Sequence, residues 1–244
     1  MIRIPKWMSV LFDNAFNLNI STFEVAHTHW ITSGIRSIIF HGDLRALDLS
    51  IGRSVSIKLG PRSVKVFTPA FVDYEEQIFQ VITHIKTGDP DYYLFEQIQT
   101  RQQLAVSMTR SQLQLNPASH YFLLGDQSAL GLACRLDAHF RSLSKGFHAL
   151  LHLQEAHRNL PELLGLLNYE LVERSEVDSF GYLPPFSIFQ TTQNNLLQDA
   201  QFILAGSDLD IQAFRGQLAV LGVAAQNIVM VPYCQAKKLG IRKN

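Results

Sequence analysis

A short segment near residue 65 carries a cation, an aromatic ring and a hydroxyl group in close succession. Lys65 and Phe67 are two residues apart, so in an extended strand they share a face, and Thr68 follows directly. Pro69 favours an extended backbone at Thr68. A flavin needs these three kinds of group, so the segment is a candidate flavin site. An ordinary strand with one solvated lysine would show the same pattern.

A second candidate site follows the strand-like run from Val81 to His84. The chain passes through Gly88, Asp89 and Pro90 into a helix-like stretch that begins at Asp91. The free N–H groups and the dipole of a helix N-terminus favour a bound phosphate. Asp89 as N-cap and Pro90 as first helical residue would explain the same residues by capping alone. Both explanations hold if the phosphates lie to one side.

A third pattern, an apolar run followed by a glycine turn and a helix, occurs twice in the second half. The run Tyr121 to Leu124 precedes the turn GDQSA at 125–129, and Phe202 to Ala205 precedes Gly206 and Ser207. Parallel sheets bind nucleotides at the carboxyl ends of their strands, where these turns are expected. A glycine-aspartate turn with a nearby serine also serves as a plain helix cap.

The elements that position these residues change in type along the chain. The first half has β-type runs between turn residues, which predicts a closed antiparallel barrel of six strands. Those runs are Phe23 to Ile31, Ile35 to His41, Ser54 to Leu59, Ser63 to Thr68, Ile78 to Ile85 and Gln103 to Met108.

The second half predicts a parallel sheet flanked by helices. Its two strand-turn-helix units have a further strand between them, around Ala149 to Leu153, and a last strand from Ile228 to Tyr233. Residues 172–186 are the least patterned and are expected to form a surface loop. We therefore predict two domains, a β-barrel flavin-binding domain at 1–115 and an α/β NAD(P)-binding-like domain at 116–244, with the boundary between 112 and 119.

Composition argues against several classes of function. The 244 residues include 21 Lys plus Arg and 21 Asp plus Glu, so no net charge attracts nucleic acid or an anionic membrane. No stretch reaches transmembrane length, and Met1 to Val10 contains no apolar signal core, so a cytoplasmic protein is expected. Cys134 and Cys234 are too far apart for a CxxC pair and are expected to be buried thiols. His27 and His29 lack a third ligand, so no metal site is predicted.

Taken in order, the motifs resemble the siderophore-interacting protein family, the ferric-siderophore reductases within the ferredoxin-reductase-like flavoproteins. The resemblance covers about Phe23 to Gly240. It includes FHGDL at 40–44, KVFTP at 65–69, GDQSAL at 125–130, and FILAGS at 202–207. Lys65 and Phe67 stand where the family has Arg and Tyr.

The resemblance implies roles for individual residues. Lys65 would meet a phosphate of FAD, Phe67 would cover one face of the isoalloxazine, and Thr68 would approach the flavin N5 edge. The residues expected to hold the flavin are Lys65, Val66, Phe67, Thr68, Thr83, His84, Pro90, Tyr92 and Tyr93, with Tyr233 as a possible shield. Those expected to hold NAD(P)H are Gly125, Asp126, Gln127, Ser128, Ala129, Gly206 and Arg215, and the substrate-binding residues are Lys237 and Lys238.

The implied function is an FAD-dependent reductase. NAD(P)H or reduced ferredoxin would supply electrons, and a ferric siderophore or other ferric chelate would accept them and release Fe(II). No catalytic acid or base is assigned, because the flavin carries the chemistry. Two alternatives stay open: an interaction protein of the same fold that binds flavin weakly or not at all, and a flavin reductase with a different acceptor.

Overall fold

The computed structural model describes residues 20–61, 63–85, 88, 91–173 and 194–232. Two sheets dominate this part of the chain. The first is antiparallel, and the second is parallel and carries most of the helices. This succession confirms the predicted order of the two fold types. In the described residues, no helix combines the length and apolar character needed to cross a bilayer.

The antiparallel sheet is built from the first half of the chain. Its strands are β1 (Ser21–Thr32), β2 (Ile35–His41), β3 (Arg53–Gly60), β4 (Ser63–Phe67), β5 (Phe71–Asp73), β6 (Ile78–His84) and β7 (Gln103–Gln112). They lie in the order β4-β3-β7-β1-β2-β6-β5. The alternating burial of β1 at Phe23 and Val25 gives the sheet an apolar inner face.

The closed six-stranded barrel predicted from the sequence is wrong. Among the described residues the sheet has seven strands and is open, with β4 and β5 as its edges. These two strands are consecutive along the chain, joined by Thr68, Pro69 and Ala70, which we call the seam. Such a link spans at most about 14 Å, so the sheet curls until its edges approach. Pro69 has no N–H, and the N–H of Ala70 donates to the carbonyl of Gln80 at 2.8 Å, so the seam adds no ladder between the edges.

The parallel sheet follows and has five strands, of which the three central ones are buried, mostly apolar runs and the two edge ones are partly exposed. The five strands are β8 (His120–Gly125), β9 (Gly146–Leu153), β10 (Tyr169–Glu173), β11 (Gln201–Gly206) and β12 (Ile228–Pro232). The order β10-β9-β8-β11-β12 reverses direction between β8 and β11. In such sheets ligands bind at the carboxyl ends of the strands beside the reversal. The loop predicted to begin at 172 begins instead as the end of β10, and 174–186 lie outside the described residues.

Five α-helices lie within the described residues. They are α1 (Tyr92–Glu96), α2 (Leu130–Ser142), α3 (Leu160–Leu163), α4 (Asn194–Asp199) and α5 (Asp208–Val220). A single 3-10 turn at 127–129 precedes α2. The side chain of Ser207 caps α5 by accepting the N–H of Asp210 at 3.2 Å. The prediction of a helix after each glycine turn is therefore confirmed.

One apolar core is shared by the two sheets, and we call it the joint core. It includes Ile35, Ala70 and Ile82 from the antiparallel sheet together with Leu130 and Ala133 from α2, all buried. Helix α2 therefore packs between the sheets and covers the seam. A second core lies inside the curl of the antiparallel sheet, and a third lies between the parallel sheet and α5.

Candidate functional site

Lys65, the cation predicted to bind a flavin phosphate, forms an ion pair with a carboxylate of the protein. Lys65 Nζ lies 2.9 Å from Asp91 Oδ2, and the two side chains are only 20% and 19% exposed. Burial alone would raise the pKa of Asp91, but the interactions with Lys65 and Ser63 together outweigh it and hold that pKa below its usual value. Asp91 is also the residue at the N-cap position of α1, where the capping interpretation had placed Asp89.

The ring beside this ion pair packs against the same helix. Phe67 meets Phe95 edge-on, with ring centroids 5.9 Å apart at 89°. Asp91 and Phe95 are four residues apart and share one side of the α1 segment, while Lys65 and Phe67 share one face of β4. The face predicted to meet a flavin is thus docked on α1, and Val66 on the opposite face is exposed.

A buried arginine holds α1 in this position. Arg36 on β2 is 6% exposed and donates to the carbonyls of Phe95 and Ile98, the latter at 2.6 Å. Its Nε donates to Thr28 Oγ1 at 2.8 Å. These acceptors lie at and just beyond the C-terminal end of α1, where carbonyl groups lack helical partners and favour a cation. Arg36 was not among the residues predicted from the sequence, because an isolated arginine in a strand carries no local signal.

The seam brings the two predicted halves of the site together. Thr68 is 6% exposed, and its hydroxyl lies 3.0 Å from Ser54 Oγ. A Cβ on Gly131 of α2 would lie 3.0 Å from the Thr68 carbonyl oxygen, so only glycine allows this approach without displacement. The residue predicted near flavin N5 therefore touches the helix that follows the GDQSA turn.

The remaining residues predicted for the flavin that the structure describes lie on β6 and α1. Thr83 is buried in β6 opposite Arg36. His84 ends β6, and its ring lies edge-on to His157 at 5.7 Å. Tyr92 packs on the core of the antiparallel sheet, whereas Tyr93 is 61% exposed. Pro90 and Tyr233, like Lys237 and Lys238, lie outside the described residues.

At the switch point of the parallel sheet, one carboxylate joins the two glycine turns. Asp126 follows β8 and accepts the N–H of Ser128 at 2.8 Å, its hydroxyl at 2.5 Å, and the N–H of Ser207 at 3.3 Å. Gly206 lies against it with φ +137°. Backbone N–H groups at such a turn are also what a phosphate would use, so Asp126 already fills part of the predicted nucleotide position.

A buried histidine extends this cluster. His152 Nδ1 lies 3.4 Å from Asp210 Oδ1, and the hydroxyl of Ser207 donates to Asp210 Oδ2 at 2.5 Å. His152 Nε2 is buried and has no hydrogen-bond partner among the described residues. His152 was not among the residues predicted for the site, because its partner Asp210 lies 58 positions away along the chain. The hydroxyl of Ser207 is hydrogen-bonded to the carboxylate of Asp210 and not to the imidazole of His152. These three residues therefore lack the contact between a nucleophile and its base that nucleophilic catalysis needs.

The other predicted NAD(P)H residues divide into buried and exposed. Gln127 is 2% exposed and Ala129 is fully buried, so both belong to the support of the turn. Arg215 is exposed on α5, about 10 Å along the helix from its first residue. Cys134 packs beside the joint core, and burial raises the pKa of its thiol to about 12, as expected for an inert cysteine. Cys234 lies outside the described residues.

The buried Asp126 predicts an unusual dependence of stability on pH. Burial raises its pKa; the hydrogen bond from Ser128 opposes this rise, and the carboxylate of Asp210 adds to it. The folded state therefore binds this proton more tightly than the unfolded chain. As pH rises from about 4 through the raised pKa, ionisation of Asp126 should reduce stability.

Asp126→Asn removes this titration and provides the measurement. Urea denaturation of both proteins between about pH 4 and 8 gives the difference in free energy of unfolding, wild type minus variant. We expect that difference to fall as pH rises. A difference that stays flat or increases would show that the folded protein does not raise this pKa.

This arrangement of a curled antiparallel sheet and a five-stranded parallel sheet matches the fold of solved ferredoxin reductases and FAD/NAD binding domains. The ferredoxin reductase in carbazole 1,9a-dioxygenase matches at TM-score 0.69 and 19% identity, over 88% of this chain and 70% of that one. The siderophore-interacting protein SipS from Aeromonas hydrophila matches at 0.64 and 19%, over 88% and 91%. The FAD/NAD binding domain of nitric oxide dioxygenase from Vibrio cholerae matches at 0.67 and 13%, over 87% and 98%.

The sequence itself matches no family model and no curated protein. At these identities the likeness in structure establishes the fold alone. It confirms the resemblance inferred from the motifs at the level of fold, since siderophore-interacting proteins and ferredoxin reductases are both among the matching structures.

Proposed function

We propose that this protein is a flavin-dependent reductase that takes electrons from NAD(P)H through FAD bound at the seam. The observation that carries the proposal is the approach of Gly131 to the Thr68 carbonyl. It places the strand predicted for the flavin against the helix that opens at the turn predicted for NAD(P)H. Hydride transfer requires its donor and acceptor to meet, so the contact between this strand and this helix supports the proposal.

The residues present fit the ring part of a flavin better than its diphosphate. β4 is an edge strand, so one side of its backbone is not used by the sheet, and Val66 and Phe71 flank the seam as exposed apolar side chains. Thr68 adds a hydroxyl at the seam. The diphosphate would have to share Lys65 with Asp91. We therefore propose that the ring lies at the seam.

The protein's own groups contribute orientation and shielding. A bound flavin supplies the change from two-electron to one-electron transfer. Thr68 and Ser54 fix the backbone at the seam through their mutual hydrogen bond. Gly125 and Gly206 allow the side chains of Ala129 and Asp126 to pack against the carboxyl ends of β8 and β11, which shapes the turns where we propose that the nucleotide binds. The joint core excludes water from the side of the seam that α2 covers.

The acceptor that we propose is a ferric siderophore or another ferric chelate. One NAD(P)H carries two electrons, which reduce two Fe(III) to two Fe(II). The motifs shared with the siderophore-interacting proteins, together with the fold, support this choice. Reduced ferredoxin as donor, and Lys237 and Lys238 as contacts to an anionic chelate, remain predictions from the sequence.

The purified protein should bind FAD and reduce a ferric chelate at the expense of NAD(P)H. The measurements are the visible absorption spectrum, a fluorescence titration with FAD, and Fe(II) release trapped by a colorimetric ligand. A panel of other acceptors separates this function from that of a flavin reductase with a different acceptor. Protein that is colourless and leaves FAD fluorescence unchanged over the titration would rule out the proposal.

One observation favours a second candidate, an interaction protein of the same fold that no longer uses flavin. The Lys65–Asp91 ion pair fills the predicted phosphate position with the protein's own carboxylate. Such a protein would show no flavin binding with or without added NAD(P)H. The same titration therefore decides between the two candidates.

A further inference from the structure

The Lys65–Asp91 ion pair lies where the flavin phosphate is expected, and it suggests what the site selects. We propose that Asp91 is a specificity-determining residue that cancels the contribution of flavin phosphates, so that riboflavin, FMN and FAD bind through the ring with similar affinity. This inference rests on the proposed function, because it requires a flavin at the seam. It makes flavin an exchangeable ligand and riboflavin a substrate of the same class as FAD.

The geometry of the ion pair supports this assignment. The two charged atoms are 2.9 Å apart and about four-fifths of each side chain is buried, so water screens the pair less than it screens a surface pair. A phosphate that approaches Lys65 is repelled by the carboxylate of Asp91, which is already at hydrogen-bond distance from the lysine. Lysine offers a compact point charge, whereas arginine has a two-pronged donor. Lysine is therefore less able than arginine to bind a carboxylate and a phosphate at the same time.

The carboxylate is also fixed in place. Asp91 directly precedes α1, and Arg36 holds the other end of that helix through the carbonyls of Phe95 and Ile98. The contact of Phe67 with Phe95 adds a second attachment between β4 and the helix. Moving Asp91 away from Lys65 would therefore disturb a helix that is anchored at both ends. A phosphate that displaced Asp91 would lose binding free energy to this disturbance.

The ring contacts do not depend on this ion pair. Val66 lies on the opposite face of β4, and Thr68 is bonded to Ser54. Riboflavin carries the isoalloxazine and the ribityl chain but no phosphate. It keeps every contact that the seam offers and meets no repulsion from Asp91.

The test is a fluorescence titration of the full-length protein with riboflavin, FMN and FAD, before and after Asp91→Asn. In the wild type we expect the three dissociation constants to agree within about threefold. In Asp91→Asn, which keeps the side-chain shape and removes the negative charge beside Lys65, we expect FMN and FAD to bind about tenfold more tightly while riboflavin is unchanged. Glu96→Gln, an exposed carboxylate on the same helix, is the matched control and should leave all three constants unchanged.

Thermal melts of the variants establish that each is folded. Wild-type protein that binds FAD about a hundredfold more tightly than riboflavin would overturn this inference and leave the proposed function intact. Equal changes for riboflavin and FAD in Asp91→Asn would also overturn it, because the effect would then lie in the ring site. If none of the three flavins binds to either protein, the proposed function fails and the inference fails with it.

Discussion

Arg36→Met is expected to lower the free energy of unfolding by about 3 kcal/mol. Arg36 is buried, and its guanidinium serves Phe95, Ile98 and Thr28 at once. Methionine fills a similar volume but donates no hydrogen bond, so the Ile98 carbonyl loses its arginine donor and the Phe95 carbonyl keeps only backbone donors such as the N–H of Ile98 at 3.3 Å. The guanidinium also lies 5.2 Å from the centre of the Trp30 ring, an attraction that methionine replaces only in part.

Urea denaturation followed by circular dichroism measures this loss. Arg45→Met is the matched control, because Arg45 is exposed and bonds only to Asp43 in its own turn among the described residues. Its midpoint should stay close to that of the wild type. Arg36→Lys should fall between the two, since one ammonium cannot reach all three acceptors. A midpoint for Arg36→Met equal to that of the control would mean that the guanidinium does not hold α1.

Gly206→Ala, at the end of β11 in the parallel sheet, is expected to lower the free energy of unfolding by a similar amount, about 3 kcal/mol. The backbone of Gly206 has φ +137°, a conformation in which any residue with a side chain is strained. A Cβ there would lie 2.9 Å from both Cγ and Oδ1 of Asp126. The carboxylate would have to move, and its hydrogen bonds to Ser128 and Ser207 would be lost or lengthened.

Gly216→Ala is the control for this substitution. Gly216 lies on α5, and a Cβ at that position would meet nothing within 4 Å. Alanine should stabilise the helix by about 0.5 to 1 kcal/mol, the opposite sign from Gly206→Ala. Equilibrium unfolding of the two variants in parallel gives both values. If both variants were stabilised, the close approach of Gly206 to Asp126 would be excluded.

The elements that depend on a local sequence pattern were predicted best. The strand Ile35–His41 has the predicted bounds, and the helices after both glycine turns were expected because apolar runs, caps and periodicity are encoded within about fifteen residues. β5 was missed because three residues between turns carry no periodic signal. The open edge of the sheet was missed because closure depends on which distant strands pair.

The predicted site shows the same division. The segment around Lys65 and the GDQSA turn could be located from residue types and spacing. Their partners could not, because Asp91 reaches Lys65 only after α1 docks on β4, and Asp210 reaches His152 across the parallel sheet. Such contacts depend on the tertiary fold and leave no trace in the local sequence.

The joint core has a consequence for motion. Ala70 at the seam and Ala133 on α2 belong to one continuous apolar cluster, and His157 adds a hydrogen bond to the carbonyl of Ser33 at 3.0 Å. Hinge opening between the sheets would expose this cluster to water. The two sheets should therefore unfold as one cooperative unit, and ligands should enter along the open edges of the curl rather than through a widening cleft.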